Sequence, residues 1–146
     1  MRRLGLGLAL IVAMVAVAAA QAAPPTRVPI TVTDFTDNTC SFTVDVHVTT
    51  SGEKGTFFSD GTILVTGPLK ATFSANGKSV SLNVSGPTKI SPSGTIIGHG
   101  VGIGPLELPG GAVTFAYTAG VADITTQPAT LLHGHVLLDL CVALAA

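Results

Sequence analysis

Leu69-Lys70-Ala71-Thr72-Phe73-Ser74-Ala75-Asn76-Gly77-Lys78-Ser79-Val80-Ser81-Leu82-Asn83-Val84 reads as a β-hairpin on two independent grounds. Asn-Gly suits a two-residue hairpin turn, because both of its central residues need positive φ. A turn there pairs Ala75 with Lys78, Phe73 with Val80, Ala71 with Leu82 and Leu69 with Val84. The hydrophobic alternation gives the same register: Leu69, Ala71, Phe73, Val80, Leu82 and Val84 share one face, while Lys70, Thr72, Ser74, Ser79, Ser81 and Asn83 share the other. A slip of one residue would turn every apolar side chain outward, so the agreement fixes the pairing.

Period two continues on both sides. Upstream, Asp60-Gly61 is a second turn signal, predicted to pair Phe58 with Ile63 and Phe57 with Leu64. Ile63 and Val65 share the parity of Leu69 to Phe73, which predicts one strand from Thr62 to Ala75, bent or bulged at Gly67-Pro68. Further back, Cys40, Phe42, Val44, Val46 and Val48 alternate with Ser41, Thr43, Asp45, His47 and Thr49, the pattern of a half-buried strand, and Ser51 to Gly55 reads as a loop. Downstream, Thr95–Ile103, Ala112–Thr118, Val121–Thr125 and His133–Leu144 are strand-like. No sustained helical period follows residue 22, so essentially no helix is expected there. The fold class is all-β: a single antiparallel β-sandwich or flattened β-barrel of about eight strands.

The two ends carry the remaining large-scale signals. Met1-Arg2-Arg3, the apolar run Leu4–Ala20 and the small residues of Ala20-Gln21-Ala22 have the layout of a secretory signal peptide, cleaved before Ala23. Residues 1–22 are thus read as leader and residues 23–146 as one all-β domain, secreted and without a transmembrane segment. Two cysteines, Cys40 and Cys141, follow the leader. Export into an oxidising space and exactly that pair point to one disulfide. Closing a loop of about 100 residues contributes roughly 4–5 kcal/mol in the chain-entropy view. Pairing the first long strand in register with the last, Cys40 opposite Cys141, would set Phe42 against Asp139 and Val46 against His135, mixing apolar with polar rows. Either Cys40 therefore precedes its strand in irregular backbone, or the bond crosses between sheets.

Charge argues against nucleic acid as a partner. Without Arg2 and Arg3, the basic residues are Arg27, Lys54, Lys70, Lys78 and Lys89, scattered against eight acidic ones, whereas counterion release needs clustered positive charge. Catalytic signals are thin. There is no G-x-S-x-G, and Glu53 and Glu107 are the only glutamates, Glu53 falling in the predicted loop. No catalytic residue and no cofactor is nominated. His133-Gly134-His135 would place two imidazoles on one strand face with Asp139 on the same parity, half of a zinc or copper site that His47, His99 or another carboxylate would have to complete. The simpler reading, two solvated histidines, is preferred, so His133, His135, His99 and Asp139 stand as metal candidates but no tight metal binding is expected. His99 itself shares a row with Ile97, Val101 and Ile103 and is expected on the buried side. The alternating Gly98, Gly100 and Gly102 are read as a place where another backbone or an aromatic ring packs closely. Asn83-Val84-Ser85 matches a glycosylation triplet, a pattern common by chance.

Four short motifs together resemble a group of small secreted actinobacterial β-rich proteins without a known activity. They are Asn38-Thr39-Cys40-Ser41-Phe42, Gly77-Lys78-Ser79, Ser85-Gly86-Pro87 and Asp139-Leu140-Cys141. The resemblance implies an exported bacterial protein and supports the pairing of Cys40 with Cys141; it carries no site residues. Three functions are compatible with these observations. The first is a secreted, non-enzymatic β-domain that binds an envelope component or plays a structural role. The second is a β-barrel carrier of a small apolar molecule, which an internal cavity would favour. The third is a histidine-based metal protein or hydrolase, which convergence of His99 with His133 and His135 would favour.

Overall fold

The computed structural model describes residues 23–146, so the predicted leader lies outside the described residues. The hairpin adopts the register read from its turn. Strands β6 (Leu69–Ala75) and β7 (Lys78–Asn83) pair Ala75 with Lys78, Phe73 with Val80 and Ala71 with Leu82. Asn76 and Gly77 take φ of 54° and 74°, the left-handed values this turn demands. Ala71 and Phe73 are buried and Lys70 is exposed.

The hairpin belongs to a four-stranded sheet in the order β2-β3-β6-β7, with β2 spanning Phe35–Asp37 and β3 Val44–Ser51. The second sheet has seven strands. In order across it these are β1 (Thr26–Ile30), β4 (Glu53–Phe57), β5 (Ile63–Thr66), β8 (Thr88–Ile90), β9 (Ile96–Glu107), β10 (Val113–Asp123) and β11 (Ala129–Asp139). Both sheets stay open, so the architecture is a sandwich and not a closed barrel.

Two expectations change at one corner. Thr62 to Ala75 is not a single strand: β5 lies in the large sheet and β6 in the small one, and the chain crosses between them at Gly67-Pro68. Ser51 to Gly55 is not a loop either, because β3 passes into β4 with only Gly52 between them, making the same crossing in the opposite direction. The crossings are laced together. Gly52 N–H donates to the Pro68 carbonyl at 2.9 Å. Gly67 has φ of +141°, and a Cβ there would lie 2.4 Å from the Gly52 carbonyl oxygen. Residues 44–57 and 63–75 are thus one long hairpin folded at a corner where side chains have no room. A third crossing, Ser85-Gly86-Pro87, leads from β7 to β8. Ser85 Oγ donates to the Leu69 carbonyl and accepts from Leu69 N–H, while a Cβ on Gly86 would meet the Val101 carbonyl at 1.9 Å. Cutting long strands at these corners, together with the short edge strands β1 and β2, gives eleven strands among the described residues instead of about eight.

The Asp60-Gly61 hairpin forms one residue out of the predicted register, with Phe57 opposite Ile63 and Thr56 opposite Leu64. Phe58 N–H donates to the Thr62 carbonyl and Gly61 N–H to the Phe58 carbonyl, so the loop has three residues and Gly61, at φ 86°, takes its left-handed position. The same closure recurs at Ser91–Thr95 and Leu108–Ala112, with Gly94 at φ 88° and Gly111 at φ 85° in the equivalent place.

Between the sheets, Val44, Val46, Ala71 and Phe73 pack against Phe115, Leu140 and Leu144. The Phe73 and Phe115 rings meet edge to face with centroids 5.9 Å apart. Cys40 and Cys141 are bonded, with Cα atoms 5.2 Å apart. Cys40 lies in irregular backbone ahead of β3, one of the two arrangements parity leaves open, but Cys141 is not in a strand. The last strand ends at Asp139, and Leu140–Ala143 form a helical turn, α1. Asp139 starts it by accepting from Val142 N–H at 3.2 Å. Leu140 and Leu144, four residues apart on one helical face, are both buried. A continued strand would have turned alternate residues, Leu140, Val142 and Leu144, to one side, and Val142 is the exposed one of the three. Among the described residues no helix is long and apolar enough to cross a membrane.

Phe73 fills the centre of this core, so Phe73→Ala is expected to cost about 3–5 kcal/mol. Lys70→Ala, one pleat away and outward, should stay within about 0.5 kcal/mol. Urea midpoints of the two variants check this, and equal shifts would contradict the packing described.

Candidate ligand cavity

The long strands β9 and β10 are read from a simple register. Gly98 pairs with Ala122, Gly100 with Gly120, Gly102 with Thr118 and Gly104 with Ala116. Both members of every pair are small and lie on one face of the sheet. The glycine row is expected to receive a packed backbone or ring; the backbone of Gly86 closes on His99 and Val101 at its edge, but over the face of the row no ring or chain is packed. A Cβ on Gly98, Gly100 or Gly102 would find its nearest neighbour 3.8–4.0 Å away, and one on Gly104 would meet nothing within 4 Å. The row is the floor of a cavity of about 220 Å³. An apolar engineered cavity of about 150 Å³ holds a benzene molecule, so this one has room for a single ring or a short chain.

Other glycines bend the walls. Gly100, Gly120 and Gly134 lie abreast on β9, β10 and β11, all at positive φ. Gly120 and Gly134 face each other so closely that a Cβ on either would lie 2.0 Å from a carbonyl of the opposite strand. Removing side chains along this line lets the three strands curve sharply. Register shifts on either side leave Leu132 and Leu137 of β11 unpaired, two bulges that sharpen the curl. The start of β11 then reaches β9 again, Ala129 beside Leu106 in parallel pairing. Leu106, Ala116 and Ala129 are buried inside this curl, with Ile124, Leu131 and Val136 packed on them.

On the face of its floor the cavity is lined by the apolar Leu106, Ile124 and Ala129, while Leu69, Val84 and Ile103, which also border it, pack on the main core. Polar side chains enter at Glu53, Thr88, Thr118 and Gln127. Glu53 opens β4, next to the corner at Gly52. Partial burial holds its carboxyl above the usual glutamate range.

The histidines do not assemble. His99 borders the cavity but is exposed, not buried, a correction with a clear cause: the small sheet covers its row only at the Ile103 end, and Ile103 alone of that row packs on the main core. Strand alternation sends the His99 ring to the Val121 face, away from the glycine floor. His133 and His135 are exposed opposite Val121 and Ala119. Asp139 does not share their face, because the bulge at Leu137 shifts its parity. It pairs with Ala116, accepts a hydrogen bond from Thr114 Oγ1 at 2.6 Å and caps α1. His47 lies in the small sheet, its Nδ1 2.7 Å from Asp34, both exposed. That bond, with one from Val48 N–H, holds the Asp34 carboxyl below the usual range. Among the described residues no group of three or more His, Cys, Asp or Glu side chains is placed to hold a metal ion.

No protein-family model matches the chain, and no curated protein or solved structure matches it. The cavity is therefore read from its own geometry. The pairing of small residues along its floor was within reach of the sequence, although its openness was not. A three-residue loop at Pro109-Gly110-Gly111 pairs Leu108 with Ala112 and brings the glycines opposite Ala116, Thr118 and Ala122. Glu53 was not, because its role depends on the corner that replaces the predicted loop.

Two tests follow from this geometry. Gly104→Ala should keep stability within about 0.5 kcal/mol of wild type, whereas Gly134→Ala, strained and blocked by a carbonyl, should lose at least about 1–3 kcal/mol; chemical denaturation checks both. For Glu53 the folded-state value lies above the unfolded one, so the folded protein holds the extra proton between them and stability falls as pH rises through that interval. Glu53→Gln should abolish this contribution and be the more stable protein above the interval, seen as a pH-dependent gap between the two denaturation midpoints.

Proposed function

We propose that this is an exported, non-enzymatic binding module whose cavity takes up a small, largely apolar molecule. The observation that carries the reading is the cavity floor: a paired row of glycines and other small residues that nothing in the described chain fills. Filling such space with side chains would be the ordinary way to stabilise a sheet, since interiors are close-packed and voids lower stability. Ligand sites combine an apolar lining with a few polar groups that fix orientation, and here Thr88, Thr118, Gln127 and Glu53 stand among the aliphatic walls. Binding is favoured over turnover because the ionisable residues of the lining are Glu53 and His99, and the His99 ring belongs to the other sheet face. Export is supported by the leader-like residues 1–22 and by the disulfide, which suits an oxidising space. Membership of the secreted actinobacterial group rests on four motifs. In the structure they stand at joints: the disulfide, the hairpin turn, the third corner and the α1 cap.

Gly104→Leu directs a side chain into the open floor and serves as the blocked control. Saturation-transfer NMR with toluene and other single-ring or short-chain probes should show binding to wild type and none to Gly104→Leu, with unchanged circular dichroism. Absence of binding to wild type, or equal binding by a folded Gly104→Leu, would overturn the reading.

A further inference from the structure

The cavity holds one formal charge that has no partner among the described residues. Glu53 is the first residue of β4, and its backbone is tightly held. Gly52 before it is bonded to Pro68, and a Cβ on Gly67 would lie 2.6 Å from the Glu53 Cα. Across the strand pair its neighbour is Ile30. The adjacent cation, Lys54, points to the opposite face by strand alternation. The one ion pair among the described residues is His47 with Asp34, in the other sheet. Among the described residues no hydrogen bond engages the Glu53 carboxyl, which is partly buried in the lining of the cavity. A carboxylate is an acceptor only, so it gains nothing from the apolar lining and needs a donor.

We infer that Glu53 is the specificity-determining anchor of the cavity and selects small apolar molecules that carry a protonated amine. This rests on the binding reading given above. An ammonium group brings three donors and the missing charge, and charge-assisted hydrogen bonds are about twice as strong as neutral ones. The rest of the ligand lies along the glycine floor, where absent side chains leave a flat surface for a ring or short chain. Thr88 and Gln127 supply neutral polar contacts to the same space. A neutral ligand of equal size would leave the half-buried carboxylate without a partner, and unpaired groups of that kind cost binding free energy. Partial burial penalises the charged carboxyl and raises its pKa, and a cationic ligand offsets that penalty.

The test uses two probes of nearly equal shape, benzylamine and benzyl alcohol, titrated into wild type and Glu53→Gln at neutral pH by calorimetry or NMR. Wild type should prefer the amine by roughly ten- to hundredfold, the range for hydrogen bonds to charged groups. In Glu53→Gln the preference should vanish while the alcohol binds as before. Equal binding of both probes to wild type, or an amine preference that survives Glu53→Gln, would overturn the anchor and leave the cavity reading standing. Failure of both probes to bind wild type would remove the cavity reading and the anchor together.

Discussion

Backbone meeting backbone is the constraint on which this molecule depends. Where the Gly52 carbonyl lies against Gly67, a hairpin that would be flat is folded into two sheets. Residues 44–57 and 63–75 remain paired through the corner, so the small sheet arises from the same pair of strands that begins the large one. Gly86 repeats the device against Val101, and Gly120 against Gly134. At each point a methyl group would occupy space already taken by a peptide oxygen. Glycine tolerates both the approach and the positive φ that some of these positions adopt.

These close approaches divide the molecule into a dense half and an open half. Between the sheets, Phe73, Phe115 and the leucines of α1 interlock, and the disulfide ties the approach to β3 to that helix. Closing about 100 residues removes much of the freedom of the unfolded chain. In the curl of β9, β10 and β11 the same residue type has the opposite consequence. Glycine at 120 and 134 brings strands together, while glycine at 98, 102 and 104 leaves space unfilled. The dense half supplies the stability that an incompletely packed half lacks.

The charge distribution follows the same division. Asp34, Asp60 and Asp123 are exposed carboxylates held in the charged form by local hydrogen bonds from His47, Thr62 and Thr125 respectively. Glu53 is the exception, shifted the other way by burial. Its carboxyl is partly buried beside the unfilled space, and burial disfavours the charged form.

The sequence by itself determined whatever depends on near neighbours. The Asn76-Gly77 hairpin, its register and its inward face were legible because the turn and the alternation specify the same pairing within a few residues. The all-β class followed from the period-two pattern, and the disulfide from two cysteines behind a leader-like segment. Parity also excluded an in-register pairing of the two cysteine-bearing segments, and the structure decided that Cys40 precedes its strand. Only the tertiary structure decided the rest. Period two shows that Ile63 to Phe73 is extended but not that it changes sheets at Gly67, because a corner preserves alternation. His99 shares an apolar row, yet its burial depends on how far the small sheet reaches. Asp139 leaves the histidine face through a single bulge at Leu137. The glycine row looks the same in sequence whether it receives a packed neighbour or an open space, since that depends on the curvature of three strands and on chain brought near from distant positions.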